Sequence, residues 1–330
     1  MSKKMSRRRF IGSVGAAGLG ALAGLGGTAR GMASRPKRRK RALRIAHLTD
    51  IHVQLEGAAP EGLARALRSV QSLADRPDMI FTGGDSIMDG LGADKARTKA
   101  QWEVFHRVMK AECRLPVVHC IGNHDVWGWG LEDESVKSDR LYGKQWAVEE
   151  FGIPGRYYSF DKAGWHFVVL DSTHAVEWNG EGSCYTGRLD EEQLGWLAAD
   201  LAKTREDSPV CVLSHIPIIC FCAFFDGENE KTGDWVVPGA WMHIDGRRIK
   251  DLFKGHKNVR VCLSGHMHMR DRVDYLGVKY LCDGAVSGAW WDGHHYEFGP
   301  AYVVVDLYDD GSSASEYVPY EWRKEGWRPD

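Results

Sequence analysis

Short apolar runs alternate with longer amphipathic stretches from residue 42 onward. Residues 43–49, 79–82, 117–121, 165–170, 210–214 and 259–264 are apolar runs of strand length, each bounded by polar residues or glycine, and read as buried strands. Between them, residues 61–74, 95–112, 139–151, 190–204 and 244–253 carry apolar side chains at helical spacing. Strands without polar alternation, separated by amphipathic helices, predict an α/β sandwich with sheets covered on both faces. Near the end, 272–275 and 278–281 flank Leu276-Gly277 as a hairpin, and 301–308 with 314–318 flank Asp309-Asp310-Gly311 as another.

Five of the strand ends break into chemistry. They are Asp50-x-His52, Gly84-Asp85, Gly122-Asn123-His124-Asp125, Ser214-His215 and Gly265-His266-Met267-His268. Each alone has an ordinary explanation as a cap, a core histidine or a turn. Together they converge, because an α/β fold gathers the carboxyl ends of its strands along one edge. The donors are carboxylate, imidazole and amide oxygen without thiolate, a set that suits Mn, Fe or Zn better than a cysteine-rich structural zinc site. Seven ligands are too many for one ion and fit two if one carboxylate bridges. A pair of ions about 3.5 to 4 Å apart is suited to in-line displacement at phosphorus.

The order Asp-x-His, Gly-Asp, Gly-Asn-His-Asp, His, Gly-His-x-His resembles the calcineurin-like metallophosphoesterases, with every ligand position filled between Asp50 and His268. The resemblance implies a four-layer αββα sandwich of two mixed sheets flanked by helices, the metallo-dependent phosphatase fold. It implies a pair of divalent or mixed-valence metal ions, one held by Asp50, His52, Asp85 and His268 and the other by Asp85, Asn123, His215 and His266. A metal-bridging hydroxide would attack phosphorus, His124 would assist the leaving group, and Asp125 would orient His124. The purple acid phosphatases carry a tyrosine three positions after the bridging aspartate, and here that position is Met88. Residues 284–291 and 299–306 look like the C-terminal part of exported bacterial members, some of which resemble cyclic-nucleotide phosphodiesterases.

Charge narrows the partners. The formal net charge is -2, yet residues 1–41 hold twelve of the 43 basic residues and none of the 45 acidic ones, which leaves 31 against 45, or -14, for the rest. An acidic body argues against a nucleic-acid surface, where a basic patch is expected. At the start, Ser6-Arg7-Arg8-Arg9-Phe10-Ile11-Gly12 resembles the twin-arginine export signal, ahead of an apolar, glycine-rich stretch. The expected organisation is a signal over 1–33, a basic linker over 34–41 and one metallophosphoesterase domain over 42–330. Export by the twin-arginine (Tat) machinery to the periplasm or the exterior follows, with membrane contact only through an uncleaved signal. The eight cysteines form no CxxC pair and read as small core hydrophobes, with Cys220 and Cys222 the better exposed candidates for a disulfide.

The reading is therefore a binuclear phosphoester hydrolase acting on a small phosphodiester or phosphomonoester. A protein phosphatase or nuclease on the same scaffold, and a non-catalytic metal-binding domain, are the alternatives. His174, His294 and His295 fall in loops placed to reach substrate, while His47 and His119 sit inside strands as hydrogen-bonded core groups. Trp127, Trp129, Trp235, Trp241, Trp290 and Trp291 follow the motifs and are placed for either an aromatic rim or core packing. The apolar loop 221–225 after His215 reads as a lid, a membrane contact or a buried segment.

Overall fold

A computed structural model describes residues 39–177 and 183–322. The expected signal, 1–33, and residues 34–38 of the expected linker lie outside the described residues, and Arg41, placed in the linker, opens the first strand. In chain order the elements are β1 (Arg41–Leu48), α1 (Ala59–Ser72), β2 (Met79–Thr82), α2 (Lys95–Glu112), β3 (Val117–His119), α3 (Gln145–Phe151), β4 (Tyr158–Lys162), β5 (Trp165–Leu170), β6 (Thr173–Ala175), β7 (Tyr185–Gly187), α4 (Glu191–Lys203), β8 (Val210–Ser214), α5 (Gly246–Gly255), β9 (Val259–Ser264), β10 (Arg270–Tyr275), β11 (Val278–Asp283), β12 (Ala301–Tyr308) and β13 (Ser313–Pro319).

Two mixed sheets form from them. One has the order β13-β12-β1-β2-β3, with β1, β2 and β3 parallel and β12 antiparallel to β1. The other runs β10-β11-β9-β8-β5-β4, parallel from β11 to β5 and antiparallel at both edges. Successive residues of a strand face opposite ways, and that period assigns the layers. Phe167 and Val169 of β5 pack with Ile45, Phe81, Val261 and Val305 between the sheets. Val168 and Leu170 pack outward with Leu197 and Leu201 of α4 and Ile249 and Phe253 of α5. Across the other sheet, Ala46, Leu48 and Ile80 pack with Leu63 and Leu67 of α1 and Trp102 and Phe105 of α2. Four layers result, αββα, which is why the central strands read as unbroken apolar runs.

Caps explain where the helices start. Asp94 accepts from the Arg97 N–H at 2.7 Å and Asp190 from the Gln193 N–H at 2.8 Å, each satisfying a donor the helix leaves unpaired. One expected helix is shorter than its periodicity implied. The run 139–151 is helical only from Gln145, because Gly143, at φ 71°, exchanges both backbone hydrogen bonds with Trp127. Strand β3 ends at His119, two residues early, although Cys120 N–H still reaches the Thr82 carbonyl at 2.9 Å. The half-buried edge strand β4 and the small β6-β7 ribbon were not evident in the pattern. All eight cysteines are free, and Cys220 and Cys222 are buried at 3% and 7% exposure, so neither is the exposed thiol its loop position suggested.

Candidate metal centre

Every motif follows a strand directly. Asp50 and His52 follow β1, Asp85 follows β2, Asn123 follows β3, His215 follows β8, and His266 and His268 follow β9. Because the sheets face each other, those ends meet at one place. The backbone there is unusual: Asp50, His52, Asp85, His266 and His268 all have φ between 47° and 71°. Non-glycine residues pay for that conformation, and it persists where surrounding structure holds side chains in a required direction. Here the direction is inward.

The donors fall into three overlapping groups. Asp50, His52 and His268 form one, Asp85, His215 and His266 another, and His52, Asp85 and His124 link the two, each group's atoms lying within 4.8 Å of one another. Oδ2 of Asp85 is 3.2 Å from His215 Nε2 and 3.6 Å from His52 Nε2, so one carboxylate faces both sides. Asn123 Oδ1 lies 3.0 Å from His215 Nε2, and Asp50 Oδ1 lies 3.5 Å from His268 Nε2. His52 Nε2 and His268 Nε2 stand 3.0 Å apart. With the His268 proton on Nδ1, its Nε2 offers a lone pair toward His52 Nε2, and a cation between the two rings would be bound by both once His52 also turns a lone pair inward.

The far sides of the rings are anchored. His268 Nδ1 donates to the Gly288 carbonyl at 2.5 Å and His215 Nδ1 to the Gly83 carbonyl at 2.8 Å, which leaves Nε2 of each as the inward atom. Asp50 accepts from the Thr49 hydroxyl at 2.6 Å and the His266 N–H at 2.9 Å. Burial holds His52 and His268 below the ordinary imidazole range and His266 down to about 3, with His215 also opposing a proton on His266. Burial opposes a charge on His215 too, but Asp85 overrides it and lifts that ring to about 9. Mostly neutral imidazoles around an ionised carboxylate form a donor set fit for divalent cations. The residues present fit two ions sharing Asp85.

Asp125 departs from its expected part. Its Oδ1 accepts from the N–H groups of Ser86 and Ile87, at 2.8 and 3.3 Å, and its Oδ2 from Gly122 at 2.9 Å. His124 Nδ1 is buried without a hydrogen-bond partner in the described structure. Asp125 thus ties the turn together rather than backing the imidazole. Burial and the neighbouring Asp85 push its pKa up to about 7.

Around the centre lies a cavity of about 180 Å³, walled by Tyr185, Trp241, Trp290 and His295 beside the metal-side residues. Trp290 is 37% exposed, with its ring centroid 4.3 Å from that of His268. Of the three loop histidines, His295 lines this cavity, while His174 and His294 are not among its lining residues. Trp127 and Trp291 are core residues: their indole N–H groups donate to the Ala93 carbonyl and to the Ile51 and His52 carbonyls. The apolar loop 221–225 is divided: Phe221 and Phe225 are more than half exposed, while Cys222 and Ala223 between them are buried. Asp226 and Tyr185 also line the cavity and had no motif to announce them.

Comparison with known proteins agrees with this geometry. Residues 43–270 match the family model described as calcineurin-like phosphoesterase. The chain belongs to the calcineurin-like phosphoesterase family and is a phosphoester hydrolase of that class. It is 22% identical over 295 residues to a 3',5'-cyclic-nucleotide phosphodiesterase of Nostoc sp., covering 85% of this chain and 94% of that one. With a cAMP/cGMP dual specificity phosphodiesterase of Mycobacterium tuberculosis it shares 25% identity over 244 residues, covering 71% of this chain and 64% of the relative. Among solved structures, a dimetal phosphatase from Danio rerio superposes with a TM-score of 0.57 at 15% identity, covering 85% of this chain and all of the other, a likeness of fold.

Proposed function

We propose that the protein is a binuclear metal-dependent phosphodiesterase acting on small phosphodiesters, 3',5'-cyclic nucleotides among the candidates, outside the cytoplasm. The observation that carries the reading is Asp85, whose single carboxylate faces His52 on one side and His215 on the other. Asp50, His52, Asp85 and His268 would hold one ion, and Asp85, Asn123, His215 and His266 the other. Mn, Fe and Zn all suit this donor set. Bound there, the ions supply positive charge for the phosphoryl oxygens and lower the pKa of water.

The chain's own residues do the rest. His124 stands beside His52 and Asp85, its ring centroid 4.8 Å from that of His52, and serves as the proton donor for the departing oxygen. Trp290 and Tyr185 shield the pocket from water and offer flat faces to the ester arms. No Lys or Arg stands among the described lining residues, which disfavours nucleic acids and other long polyanions. The names of the cyclic-nucleotide phosphodiesterase relatives support the diester class. The Ser-Arg-Arg motif near the start supports export by the twin-arginine route.

The test combines metal analysis of purified protein with hydrolysis of bis(4-nitrophenyl) phosphate, 4-nitrophenyl phosphate and 3',5'-cyclic AMP after loading with Mn, Fe or Zn. Two bound ions and chelator-sensitive diester hydrolysis are expected. Hydrolysis that survives both chelation and Asp85→Ala would defeat the reading.

A further inference from the structure

Among the described residues that line the pocket beside the metal centre, Asp226 is the one carboxylate besides Asp85. It sits on the loop that follows β8 and the turn 222–224. Its carboxylate is 22% exposed, accepts from the Tyr296 hydroxyl at 3.3 Å, and lies 3.8 Å from His295 Nε2, beyond hydrogen-bond reach. The same Tyr296 oxygen accepts from the Gly227 N–H at 3.0 Å, so the loop is held in place at the carboxylate. Trp241, Trp290 and Tyr185 line the same cavity, and no Lys or Arg is among its described lining residues. A carboxylate among aromatic faces repels an anionic group and attracts a cation, most strongly a quaternary ammonium seated on the rings.

We propose that Asp226 is the specificity-determining residue of this site, selecting phosphodiesters whose second ester arm is uncharged or carries an ammonium group and rejecting those whose second arm is anionic. This rests on the phosphodiesterase reading. The phosphodiester takes up its single negative charge at the metal end, and the arm that projects past Trp290 meets Asp226. A second phosphate or a carboxylate on that arm meets like charge with no Lys or Arg among the described lining residues to offset it.

The experiment holds the leaving group constant. The Mn-loaded protein is assayed with three 4-nitrophenyl phosphodiesters whose second arm is ethyl, 2-(trimethylammonio)ethyl or 2-carboxyethyl, and phosphocholine binding is followed by calorimetry. Wild type should show kcat/KM in the order ammonium, ethyl, carboxylate. In Asp226→Asn the ammonium-to-carboxylate ratio should fall about tenfold or more through KM, with phosphocholine binding weakened in step, as expected for one unit charge at pocket distance. Metal content and thermal unfolding confirm that the variant is folded. An unchanged ratio in a folded Asp226→Asn variant overturns the proposal. So does a wild-type enzyme that prefers the carboxylate arm, a result that needs no variant at all. Failure to hydrolyse any of the three esters would instead overturn the phosphodiesterase reading, and this inference with it.

Discussion

The backbone N–H of His124 donates to Oδ1 of Asp85 at 2.8 Å, while the other oxygen of that carboxylate faces His215 and His52. The residue bearing the free imidazole is therefore fixed through its main chain to the carboxylate shared by both donor groups. Removing the imidazole leaves that bond in place.

His124→Ala should accordingly keep both metal ions while kcat falls by about 10² to 10⁴, the range for losing a positioned general acid. Asn123→Ala should behave differently and weaken one ion, since the lost amide oxygen lies 3.0 Å from His215 Nε2. Metal content by mass spectrometry beside single-turnover rates separates the two. Equal metal loss in both variants would contradict this division.

Asp125→Ala should act on stability first. Three backbone N–H groups, of Gly122, Ser86 and Ile87, lose their acceptor in a fully buried place. An orphaned buried donor costs about 1 to 3 kcal/mol, so a loss of roughly 3 kcal/mol or more is expected. A lower melting temperature with reduced metal content is the expected pattern. A normal melting temperature with a kcat loss matching that of His124→Ala would instead put Asp125 in the catalytic path.

The glycines of the motifs should tolerate no side chain. A Cβ on Gly122 would sit 2.1 Å from Asp85 Oδ1 and 2.2 Å from its backbone N, and one on Gly265 would sit 1.9 Å from Thr49 Oγ1 and 2.2 Å from Asp50 Oδ2. Both clashes fall on donors or on the residue that anchors one. Gly122→Ala and Gly265→Ala should lose metal binding by tenfold or more, whereas Gly164→Ala, with open space about its Cβ position, should not bind metal differently. Isothermal titration with Mn checks all three.

The sequence carried the central strands, most helices and the donor motifs because those depend on local periodicity and on strand-to-loop transitions. Val168 beside Phe167 shows how: both faces of β5 are buried, so the run is apolar throughout. What stayed hidden depends on long-range contacts. Gly143 shortens its helix by pairing with Trp127, sixteen positions earlier. Asp125 spends its oxygens on Ser86 and Ile87, in a neighbouring loop that adjacency to His124 gave no reason to suspect. Asp226 lies between Phe225 and Gly227 without a motif, and only the folded loop brings it to the pocket. Of the three loop histidines, His295 lines the pocket and its immediate neighbour His294 does not.

Acid stability should depend on His119. Its ring stacks on Phe151 with centroids 4.5 Å apart, and its Nδ1 pairs with the Thr82 hydroxyl at 2.8 Å. Burial, aided by His106, lowers its pKa to about 4. An unfolded chain restores the ordinary value of about 6.5. Between those values the unfolded state binds the proton and the folded state does not, so the stability from this site is present above pH 6.5 and is lost as pH falls toward 4. Replacing the ring removes that linkage. From pH 7 to pH 4.5, His119→Gln should lose about 2 kcal/mol less stability than wild type, measured by urea unfolding at matched metal loading. Its stability at pH 7 should be lower, because the stacking on Phe151 is gone. Parallel pH profiles for the two proteins would show that His119 is not the group that titrates.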